Sequence, residues 1–227
     1  MEAQVARYDR HARWYEQSVS EPGRNELSQR CGAALVELIG TGPGWCLDVG
    51  CGTGVHASAL RAAGWQVFGF DISMGQLRFA RRRLPVAVAD AARLPLPTGR
   101  VDAVVASHIH TDVESFDAVV LEAARALRAE GRFVYVGVHP CFVGPFAERT
   151  GNGTTVLHSG YEHDDLVFSG PGIGDGIRSK VGVRHRTLQA MLSAVLSANL
   201  EVTTVREYQS PGRPLPDLLG ILAVTKG

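Results

Sequence analysis

The stretch Trp45-Cys-Leu-Asp-Val-Gly-Cys-Gly-Thr-Gly-Val55 decides the fold. An apolar run over 45–49 leads straight into glycines at 50, 52 and 54. Glycine tolerates positive φ and carries no Cβ, so backbone there can pass close beside a ligand, and residues 54–63 read as a helix whose N-terminus faces that ligand. The spacing departs from the dinucleotide fingerprint G-x-G-x-x-G, because glycine arrives one residue early, at Gly54 where the pattern needs position 55. A nicotinamide cofactor is therefore not expected.

Further segments follow in order. Trp65-Gln-Val-Phe-Gly-Phe-Asp71 is a short apolar strand ending in an acid, placed where a carboxylate accepts from both hydroxyls of a ribose. Val86-Ala-Val-Ala-Asp90-Ala91, Val101-Asp-Ala-Val-Val-Ala-Ser-His108 and Leu127-Arg-Ala-Glu-Gly-Arg-Phe-Val-Tyr-Val136 come next. With Leu47-Asp-Val-Gly-Cys-Gly-Thr-Gly54, they resemble the ordered motifs of the class I S-adenosylmethionine (SAM) dependent methyltransferases over about residues 8–138. The resemblance is to the small-molecule branch, which is ubiquinone-biosynthesis-like or tailors natural products. It implies SAM as cofactor, Asp90 on the adenine amino group, and the Ala91 N–H on a ring nitrogen. Asp48, Gly50, Cys51, Gly52, Gly54, Asp71, Ile72, Ser107 and Tyr15 complete the expected cofactor contacts. Asp71 also suits a cap for the helix beginning near Ser73, and Asp90 a turn acid before Leu94-Pro95.

From Trp45 onward strands and helices alternate: strands 45–49, 66–70, 86–89, 102–106 and 131–138, with helices 54–63, 74–83 and 114–128. Alternation with short apolar strands argues a parallel sheet covered on both faces. Helix 187–198 and strands 200–208 and 218–225 close the chain as a hairpin around Ser210-Pro-Gly-Arg-Pro-Leu-Pro216. The fold class is α/β, and the resemblance implies a Rossmann-like doubly wound sheet of seven strands with the last reversed. We read residues 1–227 as one domain. Residues 1–40 supply helices over the cofactor pocket, one across 5–18 with Tyr8, His11, Trp14 and Tyr15 on one face, broken at Glu21-Pro-Gly-Arg24, and a second over 25–39. Residues 139–186, with nine glycines between Gly144 and Gly182 and little periodicity, read as a substrate-facing lid.

Composition bounds the function. The 227 residues are 45% hydrophobic with a net charge of zero, ample for a core and without a basic field for nucleic acid. The longest basic run is Arg81-Arg82-Arg83. The N-terminus carries no apolar leader and no window approaches a membrane span, so a cytoplasmic protein is expected, monomer or homodimer, with neither membrane nor nucleic-acid partner. Four cysteines suit buried reduced thiols.

SAM carries its methyl already activated, so the protein has mainly to align a nucleophile and exclude water. A hydroxyl or amine acceptor must also shed a proton, a task for histidine. His110 ranks first, then His108, both after the fourth strand, and His139 after the fifth; His158, Tyr161 and His163 stand on the lid. No metal is expected, since Ser107-His108 stands where the metal-dependent branch places a carboxylate, and no G-x-S-x-G elbow marks a hydrolase. The expected reaction is methyl transfer to O, N or activated C of a small molecule. A SAM-binding enzyme of cyclisation or rearrangement and a SAM-sensing module are the alternatives.

Overall fold

The structure, a computed structural model, describes residues 6–21, 25–151 and 153–226. Its strands are β1 (Gly44–Val49), β2 (Trp65–Asp71), β3 (Val86–Val88), β4 (Val101–Ser107), β5 (Leu127–Val138), β6 (Ala147–Arg149), β7 (Thr155–Leu157), β8 (Leu200–Tyr208) and β9 (Leu218–Thr225). Seven of them form one sheet in the order β3-β2-β1-β4-β5-β9-β8. β1 to β5 run parallel, whereas β9 is antiparallel to both β5 and β8. This is the Rossmann-like sheet with its last strand reversed.

Successive strand residues point to opposite faces, and here both faces are apolar. Leu47, Val104, Phe133 and Ile221 pack with α5 (Phe116–Ala126) and α7 (Leu188–Ser197) on one side. Cys46, Val105 and Val134 pack with α2 (Glu26–Ile39), α3 (Ala57–Ala62) and α4 (Met74–Ala80) on the other. Full burial of each large aliphatic side chain contributes about 1.5–3 kcal/mol, and packing on both faces holds the central strands in place. The rigid sheet thereby fixes the loops at its carboxyl edge.

Departures from the sequence reading have local causes. The helix read over 54–63 starts only at Ala57, because Gly54 has φ +75° and a turn occupies 55 and 56. α5 begins after Ser115, whose hydroxyl accepts from the Ala118 N–H as an N-cap. β5 starts at Leu127, four residues early, with an irregular register opposite Val101 and Ala103 and with Glu130 at φ +60°. The helix read over 5–18 is a 3-10 turn at Asp9–His11 followed by α1 (Ala12–Ser20). Val5 and the break at Pro22-Gly23-Arg24 lie outside the described residues. The segment 139–186 holds the hairpin β6–β7 and the short α6 (Ile177–Val181), closed by a bridge between Val167 and Val183. Its glycines permit close approach: a Cβ on Gly172 would meet the Gly144 carbonyl oxygen at 2.0 Å.

Candidate active site

β1 delivers the chain into the loop 50–54, where Gly50, Gly52 and Gly54 take φ of +68°, +55° and +75°. Two anchors hold the loop. The Gly50 and Cys51 N–H groups donate to the Phe70 carbonyl at 2.8 and 3.0 Å. Asp71, the last residue of β2, accepts from the Gly52 N–H at 2.8 Å and from the Ser73 N–H at 2.7 Å. Burial pushes the Asp71 carboxyl up to about 6, with those two N–H groups opposing the shift. Asp48 is 1% exposed, and burial, aided by the charge of Asp71, pushes it up to about 7. Its Oδ2 and the hydroxyl of Ser107 are buried without a protein hydrogen-bond partner.

Those groups border a cavity of about 970 Å³ at the carboxyl edge of the sheet. Asp48, Gly50, Cys51, Gly52, Asp71, Ile72, Asp90, Ala91, Ser107 and Tyr15 all line it. Gly54 does not; a Cβ there would meet Leu84 Cδ2 at 2.4 Å, so this glycine serves the turn and the packing beneath it. Asp90 sits at the rim and accepts from the Ala92 N–H at 2.9 Å. Tyr8, Trp14 and Tyr15 line the cavity, Tyr8 and Tyr15 meeting edge to face at 5.5 Å, while His11 does not border it. α1 is clamped over the loop by Arg83, which pairs with both carboxylate oxygens of Glu16 and donates to the Thr53 carbonyl at 2.8 Å.

The three candidate histidines go to three environments. His108 leaves β4 in the left-handed region, φ +56°, lines the cavity and places Nε2 3.1 Å from the Cys31 thiol. Burial, reinforced by the Arg178 charge, pushes it down to about 3. His110 lies in the 3-10 turn Ile109–Thr111, 1% exposed, with Nδ1 2.6 Å from the Tyr135 hydroxyl, and it does not border the cavity. His139 is buried beside Phe142 with Nε2 2.7 Å from Glu207, also away from the cavity. The left-handed turn at His108 is what sends the next histidine into the core. Of the lid residues, His158 pairs with Glu148 at the surface and the Tyr161 hydroxyl accepts from the Leu188 N–H.

Other cavity residues escape a linear reading. His56 follows the glycine loop, and burial pushes it down to about 4. Arg178 of α6 pairs with Asp112 at 2.7 Å and also donates to the Tyr8 hydroxyl and to Thr111 Oγ1. Residues 66 apart in the chain give no local signal of such a pair. Among the described residues, no cluster of three or more His, Cys, Asp or Glu side chains could hold a metal ion. No described helix is long and apolar enough to cross a membrane.

Residues 47–135 match the sequence profile of a family described as methyltransferase domain. A demethylmenaquinone methyltransferase of Renibacterium salmoninarum is 33% identical over 117 residues, 49% of each chain. A malonyl-[acyl-carrier protein] O-methyltransferase of Geobacter sulfurreducens is 34% identical over 134 residues, 56% of this chain and 49% of its own. The chain thus spans about half the length of these curated relatives. A SAM-dependent methyltransferase from Mesorhizobium loti superposes with a TM-score of 0.68 at 23% identity, covering 85% of this chain and 95% of that one. The fold is that of the class I methyltransferases. Residues 47–135 are similar to a methyltransferase domain, and the fold they share is that of solved SAM-dependent methyltransferases.

The cavity floor fits that cofactor. An unpartnered buried carboxylate oxygen and an unpartnered hydroxyl call for a ligand rich in hydrogen-bond donors, and SAM offers an ammonium, two ribose hydroxyls and an adenine amino group.

Proposed function

We propose that the protein transfers a methyl group from SAM to a small-molecule acceptor within the 970 Å³ cavity. One observation carries the reading: the glycine loop, with Asp48, Asp71 and Asp90 beside it, opens into the same space that Tyr8, Asp112, Arg178 and Arg184 line. Cofactor side and acceptor side share one chamber. Asp48 and Ser107 would hold the polar end of the cofactor, Asp71 the ribose, and Asp90 with Ala91 the base. Bound there, the cofactor supplies a methyl on a positively charged sulfur. The three carboxylates favour a cation, while α1, clamped through Glu16 and Arg83, keeps water out.

Residues within 166–178 line that cavity, which supports reading 139–186 as the segment that selects the acceptor. His108 is the histidine placed to touch that acceptor; His110 and His139 act on the protein itself. The named relatives methylate different acceptors, a demethylmenaquinone and a malonyl-carrier protein, and neither is carried over. A net charge of zero gives no basic field for nucleic acid, which supports a small-molecule acceptor. Mass detection of S-adenosylhomocysteine with candidate acceptors tests the reaction. Formation that depends on both SAM and acceptor is expected; SAM binding without any such product would move the chain to the cyclising or sensing class.

A further inference from the structure

The cavity is lined by Asp48, Asp71 and Asp90 beside the glycine loop and also by Arg7, Arg178 and Arg184 with Asp112 and Glu114. Arg7 and Arg184 donate to the backbone carbonyls of Val181, Asp112 and Asp164, and among the described residues no carboxylate pairs with either. Arg178 is the most constrained of the three. Its Nη1 is held by Asp112 and Tyr8 and its Nη2 by Thr111. A guanidinium has five N–H donors; with three committed, the donors on Nε and one on Nη2 have no hydrogen bond among the described residues. The side chain keeps 26% exposure and lines the cavity. The same cavity is lined by the apolar Leu166, Ile173, Ile177 and Val113.

Resting on the methyltransfer reading, we propose that the acceptor is an apolar carboxylic acid, its carboxylate received by Arg178 and its body lying against the Ile173 and Ile177 side of the lid. A guanidinium with donors free on Nε and Nη2 fits a carboxylate better than it fits a hydroxyl or an amine. Asp112, Tyr8 and Thr111 hold the fork in place before the ligand arrives, which lowers the ordering cost of binding.

The acid–base surroundings agree. Of the two histidines that line the cavity, His108 is held neutral by burial and by Arg178 and His56 by burial, and Tyr15 is pushed up to about 12 by burial, so none readily takes a proton from a hydroxyl. A carboxylate has no proton to shed. Methylation of its oxygen consumes one negative and one positive charge, forms an O–CH3 bond as the carbon–sulfur bond breaks toward sulfur, and yields a neutral ester and a neutral thioether. The neutral ester then loses its attraction for Arg178, which favours release.

The test is a calorimetric titration of the S-adenosylhomocysteine-loaded protein with octanoate and with benzoate, against 1-octanol and octylamine. The acids should bind and the alcohol and amine should not. In the charge-balanced variant Arg178→Gln/Asp112→Asn, acid affinity should fall roughly tenfold or more, with SAM affinity unchanged. Arg178→Lys, which keeps charge and loses the fork, should fall between. Acids that bind no better than octanol, or that bind the double variant as well as the wild type, overturn the proposal while leaving methyl transfer intact. Failure of SAM itself to bind would instead remove the underlying reading.

Discussion

Asp71 accepts a hydrogen bond of 2.8 Å from the backbone N–H of Gly52, so the acid that ends β2 holds the glycine loop that follows β1. It has a second duty at Ser73, where α4 begins. The acid expected at the ribose, and also as a cap for the helix near Ser73, is thus part of the scaffold that shapes the site. Asp71→Ala should therefore lower both fold stability and SAM affinity, each by about 1–3 kcal/mol, or roughly tenfold to a hundredfold in affinity. Denaturant melts alongside calorimetry will check it. A variant of wild-type stability and wild-type affinity would remove Asp71 from both roles.

Asp48 predicts a pH dependence. Its folded value, about 7, lies above the ordinary carboxyl range, so between the two the native state binds more protons than the unfolded chain. The ligand-free protein should be most stabilised by this group below about pH 4 and lose that contribution as pH rises through about 7; Asp71 acts in the same sense up to about 6. A cationic ligand favours the ionised form, so SAM should bind more tightly as pH rises through the same window, with proton release. Asp48→Asn should flatten both profiles; an unaltered pH dependence of SAM binding in that variant would refute the assignment.

The histidines separate by environment. His110→Phe takes the partner from the buried Tyr135 hydroxyl and should cost about 1–3 kcal/mol of stability, with kcat little changed. At saturating SAM, kcat/KM for the acceptor should show no ionisation between pH 6 and 7 from His108, because burial and Arg178 keep its ring neutral there. An ionisation in that range that vanishes in His108→Asn would show His108 titrating in catalysis.

Gly54→Ala separates structure from binding within the loop. The residue lies outside the cavity, at φ +75°, with Leu84 below it. The left-handed backbone costs an alanine about 1–2 kcal/mol, and Leu84 must also shift. A thermal midpoint lower by several degrees, with SAM affinity retained when the fold is intact, is the expected outcome; an unchanged midpoint would contradict it.

Much of the framework was readable because it is local. Strands 200–208 and 218–225 have the bounds their apolar patterns imply, and the acids at 48, 71 and 90 emerge on one sheet edge because each stands at or near a strand end. What was unreadable is either turn geometry or long-range pairing. Nothing in Ser107-His-Ile-His110 announces that His108 turns left-handed and that the next histidine then packs on Tyr135. Nor does Gly176-Ile-Arg178 announce that its guanidinium will meet Asp112 and Tyr8. The glycine-rich stretch lacked periodicity because its order comes from tight backbone contacts, as at Gly172, and from a hairpin of three-residue strands.

The most direct measurement is a calorimetric titration of the purified protein with SAM, repeated with Asp48→Asn and with NADH in place of SAM. One SAM per chain is expected, with an affinity within roughly 1 μM to 1 mM, weakened in the variant, and with no heat from NADH. Absence of SAM binding, equal binding by Asp48→Asn, or saturable NADH binding would contradict the account.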